Sequence, residues 1–231
     1  MSLGIILTPD SRSKAYLQKI IKNNFKLDSI IFMNDNRNEK NYSSVEVEKS
    51  KESGFDISIP VHQTLRNERL PFKEFNFVDI NHQNLVKFLN QSKIDKFIFT
   101  GGGILKKEIL NSGPKFIHFH PGIVPNYRGS TCFYYSIIAE NMCGVTCYFM
   151  DEKLDTGNII YQKTFAKPTH PYIDDIYDSF IRSETLVEVL KNNLICSGDY
   201  KIQNPNEGTS YFIIHPVLKH IAIMDCIIDQ N

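Results

Sequence analysis

The sequence predicts an α/β fold: a doubly wound, mainly parallel, Rossmann-like sheet with a short C-terminal extension. Two observations carry this. Short apolar runs alternate with stretches of helical spacing through residue 120, and past residue 140 that alternation gives way to a pair of extended segments. Runs separated by amphipathic helices are joined by crossovers, the connection that parallel strands need.

The elements follow in order. LGIILT (3–8) is a short apolar run fit for a buried strand, stopped by PDS; from Ser13 to Asn23 a helix is expected, with Tyr16, Ile20 and Ile21 on one face. DSIIFMND (28–35) is the second strand, ended by Asn34 and Asp35. Residues 36–71 are polar and weakly patterned, a surface loop and a helix. FNFVDI (75–80) is the expected third strand, and NHQNLVKFLNQSK a helix with Leu85, Phe88 and Leu89 along one side. KFIFT (96–100), the triple glycine 101–103, a short helix LKKEILNS and the fifth strand KFIHFH (115–120) complete the parallel part. CGVTCYFMD and GNIIYQKTFA then read as a strand pair around a loop holding EKLDT. DDIYDSFIRSETLVEVLKNN is an amphipathic helix that Asp174 or Asp175 is placed to cap. Residues 1–194 form one expected domain, and 195–231 an extension packed on it.

Composition removes several classes. Lys plus Arg equals Asp plus Glu at 26 each, so no overall basic field attracts nucleic acid. No apolar run approaches the ~20 residues of a membrane span, and the start lacks the pattern of a signal peptide. Five cysteines with no CxxC pair read as reduced thiols, which with the missing leader gives a cytoplasmic expectation.

The chemistry concentrates at FIHFHPGIVPNYRG (116–129). Ligands of doubly wound sheets bind beyond the carboxyl ends of strands. His118 and His120, at positions i and i+2 of the fifth strand, share one face there. Pro121 stops the strand and Gly122 permits a turn. The triple glycine ends the neighbouring strand at the same edge, where bare backbone lets a flat ligand approach; it is no phosphate fingerprint, because Lys106 stands where GxGxxG needs its last glycine. Two imidazoles in one crevice suit either a metal site or acid–base work.

HPGIVPNYRG, followed by GVTCYFMDEKLDTGNIIYQ (144–162), resembles the folate-dependent formyltransferases, whose members act on glycinamide ribonucleotide, methionyl-tRNA and nucleotide-linked amino sugars. The resemblance covers residues 75–195 well and the first strand more loosely. It implies 10-formyltetrahydrofolate as cosubstrate and a catalytic trio of Asn, His and Asp. Carried over by position, His is His120, Asp is Asp155, and the Asn position is held by His118. The chemistry needs such groups. An amine attacks the formyl carbon, an oxyanion forms, the amine loses a proton and the leaving nitrogen gains one. The resemblance makes His120 the oxyanion stabiliser and proton relay and Asp155 its electrostatic partner. His118 is expected to imitate the missing Asn as a donor through one ring N–H, or to carry a positive charge. By position the pterin pocket maps to Gly102, Gly103 and Leu105 on one wall and Met150, Asp151 and Glu152 on the other. Arg128, Tyr127 and Phe133 are the expected acceptor-binding residues, although Arg128 could equally make a surface salt bridge and the aromatics 133–135 could equally pack a helix into the core.

Among acceptors, methionyl-tRNA fits poorly with neutral charge and only ~35 residues after the catalytic part. Glycinamide ribonucleotide fits poorly because TPDSRSK has no glycine after the first strand. The expectation is a nucleotide-linked amino sugar, with no nucleic-acid or membrane partner and a homodimer as one admissible assembly. Two alternatives stay open: a non-catalytic folate or nucleotide-sugar binder, and a metal-dependent hydrolase using His118 and His120 with Asp155 or His215.

Overall fold

The computed structural model describes residues 2–34, 40–77, 79–204 and 206–228. Five parallel strands lie at its centre: β1 (Leu3–Leu7), β2 (Ser29–Met33), β3 (Lys73–Phe75), β4 (Lys96–Phe99) and β5 (Lys115–His120). Their order is β3-β2-β1-β4-β5. Beyond β5 the sheet continues antiparallel through β7 (Met142–Phe149) to β8 (Ile159–Ala166), so the extended segments past residue 140 do form a strand pair. A two-residue strand, β6 (Arg128–Gly129), lies between β5 and β7 in sequence.

Alternation along each strand sorts side chains to two faces. Ile5, Leu7, Ile30, Phe32, Ile98, Ile117 and Phe119 join one core cluster. It is covered by α1 (Ser11–Lys22) and, later in the chain, α7 (Asp178–Lys191), which pack against each other. Ile6, Ile31, Phe97, Phe99 and Phe116 point the other way, onto Leu85 and Leu89 of α4 (Gln83–Gln91) and Ile109 of α5 (Lys107–Leu110). Residues 44–52 and 61–67 supply two further helices, α2 (Ser44–Glu52) and α3 (Val61–Asn67); α6 (Cys132–Glu140) precedes β7.

Three expectations need correction. The third strand is shorter and earlier than FNFVDI: it pairs only over Lys73–Phe75, where Glu74 opposes Phe32. (Val78 and Asp35 lie outside the described residues.) The first helix starts two residues early because Asp10 Oδ1 accepts from Ser13 N–H at 2.8 Å and caps it. Neither Asp174 nor Asp175 caps α7. The chain enters it through a π-type turn, Ile173–Tyr177, while Asp174 accepts from the Tyr134 hydroxyl and Lys219, and Asp175 from Lys40 and Ser11. These contacts reach lysines and hydroxyls far away in sequence, which local capping rules do not see.

Residues 195–228 thread back over the carboxyl edge of the sheet. β9 (Ser210–Tyr211) pairs parallel with β6, and α8 (Pro216–Ile228) packs on α6. No helix among the described residues is long and apolar enough to cross a membrane.

The return is tight. Gly208 has φ +84°, and a Cβ there would stand 1.7 Å from the Pro125 carbonyl oxygen. Gly198, at φ +75°, would meet nothing within 4 Å. Gly208→Ala should therefore lower the urea midpoint by the equivalent of ~1–3 kcal/mol, and by clearly more than Gly198→Ala. Equal midpoints for the two variants would contradict the tight apposition.

Candidate active site

The strand order reverses between β1 and β4, the switch point where such sheets bind ligands. A cavity of about 620 Å³ opens there. One half is walled by Gly101–Leu105 after β4 and by Met150, Asp151, Leu154 and Asp155 after β7; the other by Asp10–Arg12, Phe133, Asp178 and Arg182. The mouth is apolar: Ile104, Leu154, Phe212 and Ile213 line it while 49–87 % exposed.

The β5–β7 register builds the centre. His118 opposes Tyr148 and His120 opposes Thr146, so all four share a face. His120 Nε2 lies 2.8 Å from the Tyr127 carbonyl oxygen. A carbonyl only accepts, so Nε2 carries the hydrogen and neutral His120 has its lone pair on Nδ1. Nδ1 stands 3.3 Å from Asp155 Oδ2. Asp155 itself is held by Gly129 N–H (2.7 Å, Oδ2) and the Tyr148 hydroxyl (2.7 Å, Oδ1). It occupies the left-handed region at φ +54°, a conformation that costs a non-glycine residue of order 1 kcal/mol and persists only where its surroundings hold it.

Electrostatics follow from that packing. Loss of hydration pushes His120 below its ordinary pKa, and the Asp155 carboxylate, which pulls upward, does not overcome it. Burial alone would raise Asp155, but His120, the Tyr148 hydroxyl and the Gly129 amide bring it below the usual carboxylate value. His118 is pushed down further, to about 3, by burial and then by the Arg182 and Arg12 guanidinium groups. The pair thus rests as neutral imidazole beside carboxylate, with a lone pair facing an anion. A proton arriving at Nδ1 removes that repulsion.

The expected site residues divide. His118, His120, Asp155, Gly102, Gly103, Leu105, Met150, Asp151 and Phe133 all line the cavity. Glu152 does not; it is exposed and pairs with Lys107 at 3.3 Å. Nor do Arg128 and Tyr127. Arg128 is buried and donates to the Glu207 carbonyl (2.7 Å), Gln203 Oε1 (2.9 Å) and the Asn204 carbonyl, fastening the returning C-terminal segment. Tyr127 donates to Glu140 and stacks on Tyr211. Both are placed as struts behind the wall. Tyr134 is core, and Tyr135 donates to the Phe212 carbonyl.

Sequence reasoning missed Tyr148, Arg182, Asp178 and the 211–213 segment. Arg182 was findable: it is a charge on the buried face of α7 with Asp178 four residues before it, and it donates to Asp178 (2.7 Å) and to the Phe119 carbonyl (2.8 Å). Among the described residues no group of three or more His, Cys, Asp or Glu side chains could hold a metal ion.

Comparison with known proteins identifies relatives of the chain. Methionyl-tRNA formyltransferase of Clostridioides difficile is 31% identical over 228 residues, 96% of this chain and 68% of that protein. The chain spans only 38% of the corresponding Borreliella afzelii protein. Among solved structures, WlaRD, a sugar 3N-formyl transferase, superposes with TM-score 0.64 at 18% identity, covering 100% of this chain and 80% of that one. The Helicobacter canadensis N-formyltransferase, crystallised with folinic acid and dTDP-3-aminofucose, gives 0.61 at 17%, covering 92% and 71%. Residues 22–190 match the formyl transferase family, and with a cavity built on the His120–Asp155 pair the chain belongs to that family of enzymes.

Proposed function

We propose that this enzyme moves a formyl group from 10-formyltetrahydrofolate to the primary amine of a nucleotide-linked amino sugar. The observation that carries the reading is the His120–Asp155 pair, Nδ1 to Oδ2 at 3.3 Å, at the meeting of the two halves of one cavity. The glycine-walled half fits a flat, amide-rich heterocycle: backbone at Gly102 and Gly103 is bare, and Leu105, Met150 and Leu154 offer apolar contact. The folate, when bound there, supplies an activated formyl group. His120 Nδ1 takes the proton that the amine gives up as its N–C bond forms, holds it against Asp155, and delivers it to the departing nitrogen. Arg182, buried on the cavity wall, supplies positive field for the charge that develops on the formyl oxygen. In this reading residues 1–194 carry the chemistry, 195–231 supply part of the acceptor's wall, and the enzyme works in the cytoplasm on a small molecule.

A methionyl-tRNA acceptor is the second reading, favoured by the 31% identity to the Clostridioides difficile protein. The sugar reading is supported by the equal numbers of basic and acidic residues, which give the chain no overall basic field for tRNA. Incubation with 10-formyltetrahydrofolate and either dTDP- and UDP-linked amino sugars or charged initiator tRNA decides between them. Mass gain of one formyl group on a sugar is expected; formylation of the tRNA alone would reject the sugar.

His120→Asn or Asp155→Asn should cut turnover by roughly 10²–10⁴ while far-UV circular dichroism shows the fold retained. The double variant should lose little more than the worse single, because the two groups act as a unit. Near-native turnover in either single variant would remove the pair from the mechanism.

Prolonged chelation should leave turnover unchanged, since His118, His120 and Asp155 are held by hydrogen bonds to backbone and side chains. Loss of activity on chelation, restored by stoichiometric zinc, would favour the hydrolase.

A further inference from the structure

From the sequence, His118 is expected either to donate in place of Asn through one ring N–H or to carry a positive charge; the structure commits that N–H to backbone. Nδ1 lies 3.2 Å from the Phe99 carbonyl oxygen on the neighbouring strand, and that oxygen can only accept. The one hydrogen of a neutral imidazole is therefore spent on backbone. Nε2 is left with a lone pair and no hydrogen-bond partner among the described residues, on a ring that lines the cavity. The ring is held by Phe99 (6.4 Å, tilted) and Tyr148 (6.0 Å, edge-on). The other neutral tautomer, with its hydrogen on Nε2, would leave the Phe99 carbonyl facing a lone pair.

A second proton is opposed from several sides. Arg182 on α7 and Arg12 on α1 press against a positive charge there, as does His120 two residues on; Asp155 favours it, and the buried Tyr148 hydroxyl stays protonated beside them. His118 consequently remains neutral across the working range. The tautomer of His120 is the mirror case, with Nε2–H on the Tyr127 carbonyl and the lone pair on Nδ1. Both imidazoles therefore offer the cavity an acceptor, and neither offers a donor.

We propose that His118 Nε2 and His120 Nδ1 together form a clamp for the two hydrogens of a neutral primary amine, leaving the amine lone pair for the formyl carbon. This rests on the transferase reading and deepens it. His118 is then a specificity residue that touches the acceptor. A secondary amine or a hydroxyl has one hydrogen and fills half of the clamp, so the site prefers primary amines over both.

Two measurements test this. The first needs no turnover: long-range ¹H–¹⁵N spectra of the full chain labelled with ¹⁵N-histidine, assigned by loss of signal in His118→Asn. The expected result is a neutral Nδ1–H tautomer of His118 between about pH 5.5 and 8, a range bracketing an ordinary imidazole. An Nε2–H tautomer, or a ring protonated at pH 6, overturns the clamp whatever the acceptor proves to be.

The second compares dTDP-3-aminofucose with its N-methyl derivative in native enzyme, His118→Phe and His118→Asn. His118→Phe should lower kcat/KM for the primary amine roughly tenfold, the value of about one good hydrogen bond in the transition state. It should leave kcat/KM for the N-methyl amine nearly unchanged, so that native discrimination collapses. His118→Asn, whose amide oxygen can accept, should recover part of the loss. Equal losses for both acceptors, or no recovery with Asn, would show that His118 only shapes the pocket. Absence of turnover with any amino sugar would reject the sugar reading instead, and the tautomer would then decide the clamp alone.

Discussion

The hydrogen bond from His120 Nε2 to the Tyr127 carbonyl, 2.8 Å long, fixes the arrangement of the candidate site. Because a carbonyl cannot donate, the bond chooses the tautomer, and the tautomer puts the reactive lone pair on the Asp155 side. The turn at 121–127 must then bring Tyr127 back beneath the strand it has just left. Gly122 makes that return: a Cβ there would sit 2.7 Å from the same Tyr127 oxygen. Thr146 secures it, donating to the Gly122 carbonyl at 2.6 Å and accepting from Val124 N–H. The next residues, Arg128 and Gly129, pair with β9, and the Gly129 amide reaches Asp155. His120, Asp155 and the C-terminal return are thus set by one loop.

The two imidazoles illustrate how the same residue type takes different work from its neighbours. His120 has a carboxylate at its free nitrogen, and so can hold a proton transiently. His118 has two guanidinium groups in its field instead and cannot. Their tautomers are set by different backbone oxygens, one from β4 and one from the loop after β5.

Much of this was legible in the sequence. Strands such as KFIHFH are fixed by alternation, since residues 117 and 119 must be apolar to meet α1 and α7 while 118 and 120 face the cavity. The LDTG motif marked Asp155, and the triple glycine marked a bare wall. What could not be read depends on groups distant in sequence. The His118 tautomer depends on a carbonyl 19 positions away, visible only once β4 and β5 are in register. Arg128 in YRG looks like a ligand-binding cation, yet its partners sit 75–79 residues downstream. Asp174 and Asp175 look like caps until Lys219 and Lys40 are brought beside them. Local pattern reports element and face; it does not report which partner claims a charge.

Gln203 closes the structure around Asp155, donating to the backbone carbonyls of Asp155 and Gly157 at 3.2 and 2.6 Å while accepting from Arg128. Its consequence is one of timing. On the ribosome the sheet, His118, His120 and Asp155 are all synthesised before residue 203, and the segment that lines the cavity mouth comes later still, at 211–213. A nascent chain can therefore own every reactive group and still lack the brace that keeps the Asp155 loop in its left-handed bend. Synthesis order therefore sets the completed cavity well after the last of the groups that line its centre.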